Sequence, residues 1–224
     1  VTRLAVVGTD AGVGKTVIAS ALIAALRAGG VRAAPMKPVD TSDDAERLRD
    51  AAGRAFPLEL VRPVAYTERV SPLVAGRRAH RPVDVGVLDG AFATLCATSD
   101  AVVIESPGGL LAPITETETC ASLFKRWDAD LVVVAPNRHG AVANVLLVAH
   151  AARAHGLRIR SVVLNTLTSD RADVARRTNQ AVLKELLLTV PVLDFPHTPS
   201  PHDPVRLGAL AREISAHSVL ARPA

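Results

Sequence analysis

A lysine and a hydroxyl at the end of a glycine-rich turn form a combination suited to phosphate, and Gly8-Thr9-Asp10-Ala11-Gly12-Val13-Gly14-Lys15-Thr16 has it. The stretch follows the apolar run Leu4 to Val7 and precedes the helix formers Val17 to Leu26. Strand, glycine-rich loop and Gly-Lys-Thr opening a helix is the context that a phosphate-binding loop requires. The first N–H groups of a helix lack intrahelical partners and carry partial positive charge. The backbone of Gly12, Val13, Gly14, Lys15, Thr16 and Val17 is therefore expected to hold a phosphate chain. Lys15 reaches the outer phosphates, and the Thr16 hydroxyl suits magnesium. The strict pattern has four residues between its glycines; here five separate Gly8 from Gly14, so Thr9 stands at the first glycine position. An ordinary glycine-rich turn is the alternative, and the strand-to-helix context argues against it.

Other polar residues fall where strands are expected to end. Pro38 holds Lys37 extended, offering a second cation for charge developing on a transferred phosphoryl group; alone, such a lysine is an ordinary surface charge. Glu105 closes Val102-Val103-Ile104 and is placed either as a carboxylate on nucleotide-bound magnesium or as an exposed strand terminus. Asp43 and Asp44 offer a further metal ligand or a helix cap. Gly108 and Gly109 read as a tight turn, bringing backbone to a ligand or merely turning the chain. Asn165 offers its amide to a base edge, with a plain turn as the alternative. A helix starting near Ala141, after His139-Gly140, can hold a carboxylate. His197, His202 and Asp203 are flanked by prolines in a loop spanning Pro191 to Pro204, and no metal is assigned to them. No Ser-His-Asp order and no glycosidase-type acid pair emerges, so the chemistry points to phosphate.

Short β-branched runs alternate with alanine-rich segments. Strands are expected at Leu4–Val7, Ala33–Met36, Ala101–Glu105, Leu131–Ala135, Ser161–Leu164 and Val190–Leu193. Helices are expected at Lys15–Ala28, Asp43–Arg54, Asp84–Ala97, Thr119–Arg126, Ala141–His155 and Asp173–Leu187, with Val205–His217 closing the chain. Ile18, Leu22 and Leu26 recur at helical spacing. Apolar strands separated by helices imply an α/β fold of the P-loop NTPase kind, a mostly parallel central sheet with helices on both faces. Residues 1–224 fit one domain, and ligands in such sheets bind at the carboxyl ends of strands. Only 3% of residues are aromatic, which disfavours stacking platforms for single-stranded nucleic acid. The net charge of +4 comes with scattered arginines, so no nucleic-acid partner is expected. No apolar stretch has the length of a membrane span. Cys96 and Cys120 lack metal spacing and read as buried free thiols; with no amino-terminal signal pattern, a cytoplasmic location is expected.

In order along the chain, these motifs resemble those of the dethiobiotin synthetase family. Its loop Gly-Thr-Asp-Thr-x-Val-Gly-Lys-Thr is matched by Gly8 to Thr16, with Ala11 for the second threonine. Its Lys-Pro-Val with a nearby Ser or Thr is matched by Lys37, Pro38, Val39 and Thr41, and its Ser-Asp-Ala by Ser42, Asp44 and Ala45 with Asp43 extra. Its Val-Glu-Gly-Ala-Gly-Gly reads here Ile104-Glu105-Ser106-Pro107-Gly108-Gly109, followed by Pro113. A strand ending in asparagine matches Asn165. The resemblance is dense up to Pro113 and loose beyond Asn165.

The resemblance implies an ATP-dependent ring closure. The diamine 7,8-diaminopelargonate takes up CO2 as a carbamate, ATP phosphorylates it to a carbamic-phosphoric anhydride, and the second amine displaces phosphate to leave a cyclic urea. It implies catalytic roles for Lys15, Lys37 and Thr41, and nucleotide contacts from Gly12 through Val17 with Asn165 reading adenine. By the same resemblance, Mg2+ falls to Thr16, Asp44 and Glu105, and substrate contacts to Lys37, Thr41, Gly108, Gly140 and Ala141. A homodimer is also implied, in which a Gly-x-Ile-Asn-His helix start captures the substrate carboxylate across the interface. Here that start reads Gly140-Ala141-Val142-Ala143-Asn144, with the asparagine displaced by one position, about 100° of helix rotation. Ala11, Ser106 and Pro107 also depart from the pattern, which leaves open an enzyme acting on another amine or amino-acid acceptor. A switch resembling the partitioning and metal-insertion ATPases is a further alternative; those carry an early loop lysine where this chain has Asp10. An amidating ligase of the cobyrinic-acid type would need a separate glutaminase domain.

Overall fold

The computed structural model describes residues 1–169 and 174–199. Its elements run β1 (Thr2–Gly8), α1 (Lys15–Ala28), β2 (Ala33–Met36), β3 (Val39–Asp40), α2 (Asp44–Ala51), α3 (Leu58–Val61), β4 (Val64–Ala65) and α4 (Pro72–Arg78). Then follow α5 (Val85–Ala97), β5 (Ala101–Gly109), α6 (Cys120–Arg126), β6 (Asp130–Pro136), α7 (Ala141–Ala154), β7 (Ile159–Asn165), α8 (Val174–Leu187) and β8 (Val192–Phe195). Successive residues of a strand face opposite sides of a sheet. Leu4, Ala5, Val6 and Val7 are all fully buried, so both faces of β1 are covered.

Six strands pair in the order β2-β5-β1-β6-β7-β8, and every pairing is parallel. A second, two-stranded parallel sheet joins β3 to β4. The P-loop NTPase-like α/β architecture expected from the alternating pattern is present. In α1 the expected apolar stripe is buried at Ile18, Leu22 and Leu26, and its neighbours Ala21 and Ala25 are buried too. Small residues let this helix lie close to the sheet. Phe92 stacks on Trp127 with ring centroids 4.4 Å apart, an aromatic contact in a core built mostly from Ala, Val and Leu.

The structure corrects several boundaries. Gly108 and Gly109 do not form a tight turn: β5 runs past Glu105 to Gly109, and neither glycine has a positive φ. Val6 lies opposite Glu105 but Gly8 lies opposite Gly109, so β5 takes four steps where β1 takes two. Such a bulge bends the strand and re-aims its side chains. The helix expected at Asp43–Arg54 stops at Ala51, because Gly53 and Arg54 both turn to positive φ. The strand expected at Val190–Leu193 lies two residues later, so part of the Pro191–Pro204 loop is β8. The short elements β3, α3, β4 and α4 carry no periodic signal long enough to read. Cys120 is buried as expected, whereas Cys96 is only partly so. The expected helix Val205–His217, together with His202, Asp203 and Asp173, lies outside the described residues. Among those described, no helix is long and apolar enough to cross a membrane.

Candidate active site

The glycine-rich loop leaves β1 at Gly8, and its first amide donates from Thr9 to the Val134 carbonyl of β6 at 2.9 Å. A Cβ at Gly8 would fall 2.8 Å from both the Asp10 carbonyl and the Val13 side chain, so only glycine lets the chain fold back there. Gly12 and Gly14 take φ of 69° and 90°, the left-handed region that side chains rarely adopt. Gly14 caps α1, and Lys15, Thr16 and Val17 form its first turn, which contains no acidic residue. That helix terminus offers unpaired N–H groups and positive partial charge to an anion.

Beside it, four side chains meet. Glu105 Oε1 accepts from the Thr16 hydroxyl at 3.0 Å and from Lys37 Nζ at 2.6 Å, while Lys37 also donates to Asp44 Oδ2 at 3.1 Å. Lys37 is 4% exposed and Glu105 1%. Burial works to lower the Lys37 ammonium, but Glu105 and Asp44 outweigh it and hold its pKa above the ordinary lysine value. Burial raises the Glu105 carboxyl, with Lys37 opposing. Burial works to raise the Asp44 carboxyl, but the charge of Lys37 together with hydrogen bonds from Ser42, Lys37 and Thr16 holds it below the ordinary value. Burial lowers Lys15, and the nearby Glu105 acts against that shift.

Each partner is set by its element. Pro38 keeps Lys37 extended past β2, and the Lys37 amide donates to the Val61 carbonyl of α3 at 2.7 Å. Asp44 opens α2, and the chain leading to it is tied down by Asp40. That buried carboxylate accepts from the Ser42 amide at 3.0 Å, the Ser42 hydroxyl at 2.9 Å and the Ala45 amide at 3.2 Å. Asp40 is a site residue absent from the sequence expectations, and Asp-x-Ser just before a helix, a side-chain turn signal, is the pattern that marks it. Asp43 takes the N-cap position of α2 but makes no side-chain cap bond and pairs with Arg47, while Asp44 faces Lys37. Glu105 sits where the β5 bulge begins. Ser106 is fully buried there, its hydroxyl donating to the Gly108 carbonyl across the bulge. A Cβ at Gly108 would fall 2.8 Å from the Ala112 side chain.

Glu105 Oε2 is buried with no hydrogen-bond partner. An uncompensated buried carboxylate oxygen is costly, and its carboxylate holds the Thr16 hydroxyl on Oε1 and is joined to Asp44 through Lys37. Glu105, Thr16 and Asp44 supply oxygen donors of the kind a hard divalent cation takes. No group of three or more His, Cys, Asp or Glu gathers among the described residues, so two carboxylates and one hydroxyl are the donors available.

Thus Thr16, Lys37, Asp44 and Glu105 come together directly, and Lys15 joins them electrostatically. Asn165 ends β7 rather than lying in a turn, and its amide reaches the loop at Val13. Thr41 is partly exposed on the Asp40–Ser42 turn, and Gly140, with φ of 88°, caps α7 at Ala141. Among the described residues no hydrogen bond joins Thr41, Gly108, Gly140 or Ala141 to the cluster. An open cleft of about 610 Å³ lies at the other end of the strands, against Arg27, Arg32, Phe56 and Leu60, away from these groups.

Residues 2–196 match a family model described as an AAA domain. The ATP-dependent dethiobiotin synthetase BioD of Anaeromyxobacter dehalogenans (strain 2CP-C) is 38% identical over 202 residues, covering 88% of this chain and 90% of the relative. That of Anaeromyxobacter sp. (strain Fw109-5) is 37% identical over 197 residues, covering 82% and 88%. That of Xylella fastidiosa (strain 9a5c) is 33% identical over 214 residues, covering 91% and 94%. Among solved structures, the septum site-determining protein MinD of Pyrococcus horikoshii OT3, complexed with Mg-ADP, aligns with a TM-score of 0.60 at 17% identity, covering 96% of each chain. A plasmid partition protein of Borrelia burgdorferi B31 bound to AMPPNP aligns with a TM-score of 0.58 at 14% identity, covering 96% of this chain and 98% of that one. At such identities these two speak for the fold alone.

Proposed function

The chain belongs to the dethiobiotin synthetase family, and from that premise we propose that it uses ATP to close a cyclic urea on 7,8-diaminopelargonate and CO2. The observation that carries this reading is the junction of Lys15, Thr16, Lys37, Asp44 and Glu105 beside a helix terminus open to phosphate.

The reaction must bring two anions, a carbamate and a triphosphate, into contact, and cations fixed beforehand lower that barrier. The loop amides from Gly12 to Val17 bind the phosphates, and Lys15 places its ammonium on the outer ones. Lys37 keeps its proton, because Glu105 and Asp44 hold its pKa up. It therefore acts as a standing positive charge for the carbamate, with the Thr41 hydroxyl as second contact. Phosphorylation turns the carbamate oxygen into a good leaving group; the second amine then attacks the carbonyl carbon and phosphate departs. No side chain is needed as general base, since the amines can lose protons to the carbamate or phosphate.

Thr16, Asp44 and Glu105 would hold Mg2+, and the orphaned Glu105 Oε2 supports that assignment. The ion would supply neutralisation of phosphate charge. Asn165 is offered to adenine, and Gly108 to the substrate. The start of α7 at Gly140 and Ala141 is offered to the substrate carboxylate through the following N–H groups of the first turn, since the Ala141 amide itself donates to the Arg138 carbonyl at 3.1 Å and the family's asparagine is displaced. A homodimer is part of the proposal on the family resemblance alone. We further propose a single domain acting in the cytoplasm.

The test is phosphate release from ATP with Mg2+ and bicarbonate, with and without the diamine, the urea product being followed by mass spectrometry. Diamine-dependent release with matching product is expected. ATP binding without diamine-dependent turnover would overturn the acceptor and leave the nucleotide site standing.

A further inference from the structure

Between Gly8 and Gly14 the glycine-rich loop has few ties to the rest of the protein. Ala11 donates to its neighbour Asp10, and Lys15 donates to the Asp10 carbonyl, both local bonds. Among the described residues, two hydrogen bonds reach across to other strands. One is the Thr9 amide on Val134 at the loop's start. The other is at its far side, where the Asn165 side-chain amide donates to the Val13 carbonyl at 2.9 Å across 152 residues of sequence.

We propose that Asn165 is a positioning residue of the phosphate loop, its amide holding the Val13-Gly14 peptide so that the loop N–H groups face the anion. A loop that turns its N–H groups into one concavity must turn carbonyls away from it, and those carbonyls need donors of their own. Val13 receives that donor from a side chain which is itself immobilised. Asn165 is 4% exposed, and its backbone carbonyl accepts from the Asn137 amide at 2.8 Å. The Asn137 side chain is gripped in turn by Asp194 of β8 at 3.1 Å and Asn179 of α8 at 2.9 Å. The brace thus rests on β6, β7, β8 and α8 together. Contact is close enough to shape the loop: a Cβ on Gly14 would fall 2.1 Å from the Asn165 amide nitrogen. Gly14 is thereby required both by its left-handed φ and by the amide lying over it.

This inference rests on the reading that the loop binds phosphate and goes beyond the adenine contact assigned to the same residue. A base contact leaves the affinity for a bare phosphate chain untouched, whereas a brace does not. The experiment compares wild type with Asn165→Ala and with Asn165→Asp, which keeps the volume but loses the donor. Calorimetry measures binding of ATP and of inorganic tripolyphosphate, each with Mg2+. Hydrogen exchange without ligand follows the segment Thr9–Val17 against strands β6 and β7. Loss of one buried hydrogen bond should weaken tripolyphosphate about tenfold in the alanine variant. Exchange should quicken in the loop while β6 and β7 keep their protection.

Unchanged tripolyphosphate affinity with weakened ATP would overturn the brace and leave Asn165 as a base contact only. Exchange that rises equally across the sheet would also overturn it, showing a general loss of stability. Wild-type protein that binds neither ligand would overturn the nucleotide reading and this inference with it.

Discussion

Lys37→Met removes the ammonium that joins Asp44 to Glu105 and keeps an unbranched side chain one atom shorter, so little packing is lost. What remains is a carboxylate 1% exposed, with the Thr16 hydroxyl on one oxygen and nothing on the other. Two routes are open to it. Staying charged follows the cost of breaking a buried pair from one side, about 3–5 kcal/mol. Taking a proton costs, for a carboxyl of ordinary value 4.5 at pH 7, about 3 kcal/mol. The cheaper route sets a ceiling of about 3 kcal/mol, lowered somewhat because burial already raises Glu105 in the wild type and because Lys15 is near.

The sign of the pH dependence follows. A carboxyl whose folded pKa lies above its unfolded value destabilises the fold above that unfolded value, and increasingly so as pH rises. Urea unfolding without nucleotide should therefore show a difference of up to about 3 kcal/mol at pH 7, shrinking to under about 1 kcal/mol at pH 5. The variant should keep ATP binding and lose turnover. A difference that is small at pH 7, or that does not change between the two pH values, would refute the claim that Lys37 compensates a buried charge.

Lys15→Ala should abolish nucleotide-dependent phosphate release; unaltered turnover would remove Lys15 from the mechanism. Asp44→Asn should narrow its stability gap from wild type as pH falls below about 3.8, since the wild-type pKa is depressed and its stabilisation disappears on protonation, as acid titration of unfolding would show. Asp40→Ala removes the acceptor for three donors around the start of α2 and should cost about 1–3 kcal/mol in urea unfolding while weakening Mg2+ binding through misplaced Asp44. Burial pushes the Cys120 thiol up to about 12, so a thiol reagent at pH 8 should leave it unmodified in native protein and label it after denaturation, as peptide mapping would reveal.

The chain itself determined what lies close together in sequence. Gly12, Gly14, Lys15 and Thr16 act within one turn of backbone, so their meaning is legible without neighbours. Alternating apolar and helical runs were enough for a parallel sheet, and with it the rule that Lys37, Glu105 and Asn165 stand at the same edge. The glycine pair after Glu105 misled because glycine is also admitted where a bulged strand passes close to a neighbour, as Gly108 does at Ala112. Only the tertiary structure decided which strand ends touch. The order β2-β5-β1 sets Lys37, Glu105 and Thr16 side by side, so that two donors share one oxygen. The same folding carries Asn165 onto Val13 and lets Asp40 build the turn that presents Asp44. Strand order and register come from burial summed over the whole sheet, and no local spacing of residues encodes that sum.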